Sequence, residues 1–323
     1  MTWLSDAALD RLRLAAESPD LSATRYRLVD RIGRGGMGVV FLAEDQILGR
    51  RVALKVVDVP DESGDLAARL VREARILAQL EHPGIVPVHD AGALPDGRVF
   101  YAMKFVEGRS LREHAASLDS TTDRLRIFQK LCDAVSFAHS RGILHRDLKP
   151  ENVMIGPFGE VLVLDWGVAK LLRPLAGDSA SEVDSSAGAV PARPGTRDGA
   201  VVGTVGYMSP EQSRGESAAL DARTDVFSLG MILKFLLGEP ARVSAPVAAV
   251  CAKATSLDPA LRYASVSNLA ADVARFLDGL PLEAYPDTLF RRAGRFVRRN
   301  QVVVWLVVAY LFARIILILF SRP

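Results

Sequence analysis

Cysteine is nearly absent, with two in 323 residues, Cys132 and Cys251, each inside an apolar stretch. Neither stands in C-x-x-C spacing, so both read as reduced core residues of a cytosolic domain rather than a disulfide. Histidine is as scarce: the five (82, 89, 114, 139 and 145) form no H-E-x-x-H or Cys/His ligand spacing, which argues against zinc. No G-K-[ST] occurs, excluding a P-loop. The net charge of +2 gives no bias toward nucleic acid, and none is expected as a partner. The N-terminus lacks the basic-then-apolar pattern of a signal peptide; residues 1–24 read as a short helical extension. No internal repeat is present. With 49% of its residues apolar, the chain has enough to bury a large core or two packed lobes.

What is present begins with "IGRGGMGVVFLAED", Ile32 to Asp45, whose spacing is Gly33-x-Gly35-x-x-Gly38-x-Val40. A lone G-x-G-x-x-G is weak, because dinucleotide-binding folds use it too. Those folds follow the glycines with a helix that receives the pyrophosphate. Here "VVFLAED" and then "RVALKVV" read as strands, which argues against a dinucleotide-dependent oxidoreductase. In a strand Ala53 and Lys55 face one side, so a small residue leaves room for a flat base and the lysine can reach phosphates. "GDLAARLVREARILAQLEH" carries apolar residues at helical spacing, and "GIVPVHDAGALPDGRVFYAMKFV" reads as two strands around a Pro-Asp-Gly turn. After Gly108 the pattern turns helical. Residues 173–200 are Ser-, Ala-, Gly- and Pro-rich without periodicity and read as a mobile loop.

"ILHRDLKPENVMIGPFGEVLVLDWGVAK" resembles, almost letter for letter, the catalytic and metal-binding segments of Ser/Thr protein kinases, particularly the membrane-bound, eukaryotic-like kinases of bacteria. The resemblance covers residues 25–280, with the motifs in order. It implies an α+β, two-lobed protein kinase fold: a β-rich lobe over 25–106, a helical lobe over 107–280, and an activation segment over 165–211. By this resemblance Lys55 would bind the α- and β-phosphates of ATP and pair with Glu73. Asp147 would be the catalytic base, and Lys149 would neutralise γ-phosphate charge. Asn152 and Asp165 would hold Mg²⁺, with Mn²⁺ an alternative. Ile32, Gly33, Gly35, Gly36 and Gly38 would form the lid over the phosphates. Val40 and Ala53 would cover the base, Met154 would lie below it, Met103 would be the gatekeeper, and the backbone of Lys104 and Val106 would meet the base edge. Thr204 would brace Asp147 and Lys149, the Ser/Thr pattern that makes protein Ser/Thr hydroxyls the substrate class. Arg146 would pair with an activation-loop phosphate, Ser179, Ser181, Ser185, Ser186 and Thr196 being candidate acceptors. Asp225 would anchor the catalytic loop, and Arg262 would pair with Glu211. The chemistry supports these types, since phosphoryl transfer spreads charge over oxygens that cations must clamp.

Two departures stand out. Trp166 replaces the usual phenylalanine after Asp165, placing a bulkier ring under the Glu73 helix. After "TDVFSLGMILKFLLGE" the chain reaches "PARVSAPVAAVCAKA" early, so one helix of the usual helical lobe is expected to be lost or reduced. These keep a second reading open, an ATP-binding pseudokinase acting as a membrane scaffold.

Finally, Val302–Phe320 is nineteen residues long with one charge, Arg314, and fourteen of them are Val, Leu, Ile or Phe. As a helix it would span about 28 Å, enough to cross a bilayer. Each of those fourteen contributes about −0.3 to −0.6 kcal/mol against about 3 kcal/mol for the arginine, so insertion wins. Residues 281–301 form a basic juxtamembrane segment whose Arg291, Arg292, Arg295, Arg298 and Arg299 suit anionic headgroups and put the kinase domain in the cytoplasm, the C-terminus outside. The expectation is a single-pass protein of the bacterial inner membrane. Arg314 suits pairing with a partner helix, and a homodimer is left open.

Overall fold

The structure, a computed structural model, describes residues 18–35, 38–57, 74, 77–166, 170–171, 205–216, 220–238, 243–286, 305–306, 309–311 and 313–314. The first lobe is a five-stranded antiparallel sheet ordered β1-β2-β3-β5-β4. Its strands are β1 (Tyr26–Gly35), β2 (Gly38–Asp45), β3 (Arg50–Val56), β4 (Val88–Ala93) and β5 (Val99–Lys104). Alternation decides which face each residue joins. Val39, Phe41 and Ala43 of β2 and Val52, Leu54 and Val56 of β3 bury one face. The odd-numbered positions of β3, Ala53 and Lys55, turn to the other. The Pro95-Asp96-Gly97 turn between β4 and β5 puts Gly97 at φ 80°, a left-handed conformation that glycine adopts without strain.

A short connection leads to β6 (Arg109–Ser110) and the four-residue helix α1 (Leu111–His114), whose N-terminus is closed by a Ser110–Glu113 capping box. Helix α2 (Thr121–Ser140) buries Leu125, Phe128, Leu131, Cys132, Val135 and Ala138, the i, i+3, i+4 stripe of a core-facing helix. Next come β7 (Ile143–Leu144), β8 (Val153–Ile155), β9 (Val161–Val163), β10 (Lys170–Leu171) and α3 (Pro210–Ser213). Helix α4 (Ala222–Leu237) is buried nearly all round and forms the axis of the second lobe. At Gly230 a Cβ would come within 2.7 Å of the Ala254 Cβ, so α4 and α5 (Ala245–Ala254) touch backbone to side chain. Residues 238–244 alone connect α4 to α5, which agrees with the early arrival of "APVAAVCAKA" in the sequence.

Helix α6 (Val266–Leu277) follows, and the chain after it folds back onto the lobe. The buried carboxylate of Asp272 accepts hydrogen bonds from the Glu283 and Ala284 N–H groups (2.7 and 2.9 Å) and from the Tyr263 hydroxyl (2.8 Å). Leu282 is buried in the same core. Among the described residues no helix is long and apolar enough to cross a membrane. Of the 302–320 stretch, Trp305, Leu306, Ala309–Leu311, Ala313 and Arg314 are described; they are helical and exposed. The 1–17 extension and the basic 287–301 stretch lie outside the described residues.

Candidate active site

The roof of the cleft comes from sheet register. Lys55 stands opposite Val40 on β2 and Tyr101 on β5; Ala53 stands opposite Leu42 and Met103. Residues directly opposite share a face, so Val40, Ala53, Lys55 and Met103 converge. Val86, Val99 and Tyr101 join Ala53 and Met103 in one buried cluster, with Val40, Val106 and Leu164 packed against it. The result is an apolar slot with a cation at its inner end. Lys104 points its side chain to solvent and spends its N–H on the Pro87 carbonyl (3.0 Å), so its own carbonyl is what it can offer a base edge. Met154, half-buried on β8, pairs with Ser110 of β6 and Leu162 of β9.

The glycine hairpin pairs Gly33 with Val40 and Gly35 with Gly38. Ile32 is 45% exposed. Gly38 has a reason of its own: at φ 145°, a Cβ there would stand 2.1 Å from the Val56 carbonyl oxygen. Glycine is therefore demanded by the close pairing of the start of β2 with the end of β3 as much as by any ligand. Gly36, Glu73 and Thr204 lie outside the described residues, as do the candidate phosphate acceptors of the 172–204 stretch.

Lys55, only 7% exposed, donates to Asp165 Oδ1 at 2.5 Å and lies 5.6 Å from the centre of the Tyr101 ring. Burial alone would raise the Asp165 carboxyl, but the Lys55 ammonium and its hydrogen bond, with His145 and Lys149 nearby, hold it below the ordinary value. On the floor, Asp147 Oδ2 receives Lys149 Nζ (2.8 Å) and Asn152 Nδ2 (3.1 Å), and Asn152 also donates to the Asp147 carbonyl (2.8 Å). The two halves are joined by Leu164, whose N–H goes to the Asn152 carbonyl (2.8 Å) and whose carbonyl meets His145 Nε2 (3.0 Å).

Among the described residues, two non-glycines have positive φ, Arg146 (68°) and Asp165 (55°), and both belong to this site. Such conformations cost about 1–3 kcal/mol and persist only where the surroundings fix them. For Arg146 the surroundings are visible. Its N–H goes to Asp225 Oδ1 (2.8 Å), and its carbonyl accepts Gln212 Nε2 (2.7 Å). Asp225 Oδ2 takes the His145 N–H (2.9 Å) and the His139 ring Nε2 (2.7 Å). Burial would raise this carboxyl too, but His139 and the backbone donors keep it low. Trp166 is fully buried, its ring 4.6 Å from that of His145, in the same cluster as Leu77 and Ile85. The larger ring is thus accommodated without displacing Asp165 from Lys55.

Below the cleft, Arg262 grips Glu211 through its two terminal guanidinium nitrogens (2.6 and 2.8 Å), both residues being buried. Burial would push the Glu211 carboxyl up, yet the Arg262 fork carries it from 4.5 down to about 2. A carboxyl depressed on folding contributes stability that is complete above its unfolded pKa, about 4.5, and is lost as pH falls through about 2. Over that interval the melting temperature of the wild type is expected to fall more steeply with pH than that of Glu211→Gln. Parallel melting curves would refute the assignment.

The structure therefore brings together Lys55, Asp147, Lys149, Asn152 and Asp165 from three separate segments, and seats Asp225, Glu211 and Arg262 beneath them. Sequence reasoning missed His139 and Gln212. The Ser209-x-x-Gln212 spacing signals a helix cap, and the cap is present; nothing in it signals that the same amide reaches the Arg146 carbonyl. The donor set suits a small hard cation. Asn152 uses only Nδ2 on Asp147, leaving Oδ1, and Asp165 meets Lys55 through Oδ1, leaving Oδ2.

The protein kinase domain family matches residues 26–257. The chain is 38% identical over 298 residues to the serine/threonine-protein kinase PknD of Chlamydia caviae, covering 80% of this chain and 32% of that protein. PknD of Protochlamydia amoebophila is 36% identical, with coverages of 79% and 30%. The chain thus spans about a third of the length of these curated relatives. Among solved structures, the kinase domain of Mycobacterium tuberculosis PknI is similar with a TM-score of 0.56 and 25% identity, covering 80% of this chain and 97% of that one. The glycine hairpin, the lysine on β3, the loop held by Asp225 and the family match agree, and the chain belongs to the protein kinase family.

Proposed function

We propose that the protein is a serine/threonine kinase that transfers the γ-phosphate of ATP to Ser or Thr hydroxyls of proteins. The observation that carries this is the Asp147 carboxylate, gripped at Oδ2 by Lys149 and Asn152 and so offering Oδ1 to an incoming hydroxyl. Asp147 accepts the hydrogen bond of that hydroxyl and orients its oxygen toward the phosphorus. Lys149, already beside Asp147, moves positive charge toward the transferred group. Lys55, freed from Asp165, holds the α- and β-phosphates, and the slot lined by Val40, Ala53 and Met103 sandwiches the base. When bound, Mg²⁺ supplies positive charge between the phosphates, and Asn152 Oδ1 with the Asp165 carboxylate would hold it. The names of the curated relatives support the Ser/Thr class. Incubation of the full chain with γ-labelled ATP and Mg²⁺ should label the protein itself or a generic Ser/Thr substrate. Nucleotide binding with no label in either would overturn the reading.

We also propose that residues 302–320 anchor the domain in a membrane, the arginines between 291 and 299 resting on anionic headgroups. The support is the composition of that stretch. Truncation after Gln301 is expected to move the protein from the membrane pellet to the soluble fraction. An unchanged distribution counts against the anchor.

A further inference from the structure

Beside the Asp147 loop lies a charge pair that phosphoryl transfer itself does not use. Glu151 sits in the single turn Pro150–Asn152, between the two residues that hold Asp147. Its carboxylate is met by Arg112 Nε, from the short helix α1. Arg112 is fixed on other sides as well. Its guanidinium lies over the Phe235 ring of α4, 5.4 Å from the centroid, and next to the Tyr207 phenol of the turn Val205–Tyr207. Helix α1 is itself pinned: Ser110, its cap, pairs with Met154 of β8, and Leu111 is buried. Yet both charged side chains keep part of their surface in solvent, 42% for Arg112 and 40% for Glu151. An accessible carboxylate next to the catalytic loop is thus already neutralised from within the chain.

A protein segment that brings a hydroxyl to Asp147 must lay its neighbouring residues across this rim, at about 3.3 Å per extended residue. Resting on the kinase reading above, we propose that Arg112 sets the charge preference for substrate. Seated on Glu151, it denies basic flanking residues their carboxylate and meets them with a like charge. Acidic flanks instead find the guanidinium donors that Glu151 does not use. The substrates favoured by this rim are Ser/Thr segments with neutral or acidic surroundings.

The test uses the full chain and two peptides that differ only in carrying lysines or glutamates around one serine. Its readout is the ratio of kcat/KM for the lysine peptide to that for the glutamate peptide, which a general loss of stability does not shift. In the wild type the ratio is expected below one. Arg112→Ala should raise it by about threefold or more, the scale of an exposed charge contact. Arg112→Ala combined with Glu151→Gln should return it toward the wild-type value. An unchanged ratio in Arg112→Ala overturns the proposal. So does Glu151→Gln alone shifting the ratio as far as it does in the Arg112→Ala background, since Glu151 would then be open already. If no peptide is phosphorylated and the chain does not label itself, the kinase reading falls first and takes this one with it.

Discussion

Asp147→Asn is expected to lower the turnover of phosphoryl transfer by about 10²–10⁴-fold, the usual worth of a positioned general base, while ATP still binds. The geometry explains why the loss is chemical rather than structural. Lys149 and Asn152 both donate to Oδ2, so an asparagine settles with its carbonyl oxygen there and its NH₂ at the former Oδ1. A substrate hydroxyl then meets a donor where it needs an acceptor. The slot formed by Val40, Ala53 and Met103, and the Lys55–Asp165 pair above it, are untouched. Steady-state transfer of label, measured beside an ATP-induced thermal shift, separates the two effects. A loss under tenfold, or a variant that no longer binds ATP, would contradict this role.

The second large effect is expected at Asp225, where substitution by alanine should cost about 3–5 kcal/mol of stability. One fully buried carboxylate takes the N–H groups of His145 and Arg146 and the His139 ring. Removing it orphans three buried donors, each costing about 1–3 kcal/mol, and releases Arg146 from its left-handed conformation. Against a typical domain stability of about 5–15 kcal/mol this is a large share. Asparagine is no rescue, because two faces of the carboxylate receive donors and an amide has only one oxygen. Chemical denaturation of the wild type, Asp225→Ala and Asp225→Asn checks the order. Stability within 1 kcal/mol of wild type for the alanine variant would remove Asp225 from this role.

The parts of this site that could be read from the sequence are those whose chemistry is carried by spacing. Asp147, Lys149 and Asn152 lie within six residues of one another, so the turn that joins them is local and its signature is short. Alternation along β3 likewise placed Ala53 and Lys55 on one face before any neighbour was known. What spacing cannot carry is which distant elements meet. The kinase resemblance pairs Lys55 with Glu73, which lies outside the described residues; among the described residues its partner is Asp165. The His139–Asp225 contact, the Gln212 amide on Arg146 and the Arg112–Glu151 pair all depend on how α2, α3, α4 and α1 pack. Gly38 shows a subtler gap. Its place in the glycine motif is legible, but its closeness to the Val56 carbonyl comes from the pairing of β2 with the end of β3, which a motif does not encode.

The fold-back after α6 has a mechanical consequence. Two backbone N–H groups, from Glu283 and Ala284, end on Asp272, and Leu282 is inserted beside them. Tension entering the chain from its C-terminal side would therefore load Leu282 and, through the Asp272 carboxylate, the middle of α6. The hydrogen bonds there would share the load rather than open one at a time, because both N–H groups bear on the same side chain. A tether attached beyond residue 286 thus pulls on the helical lobe through its core, at Asp272 and Leu282, rather than through a surface loop.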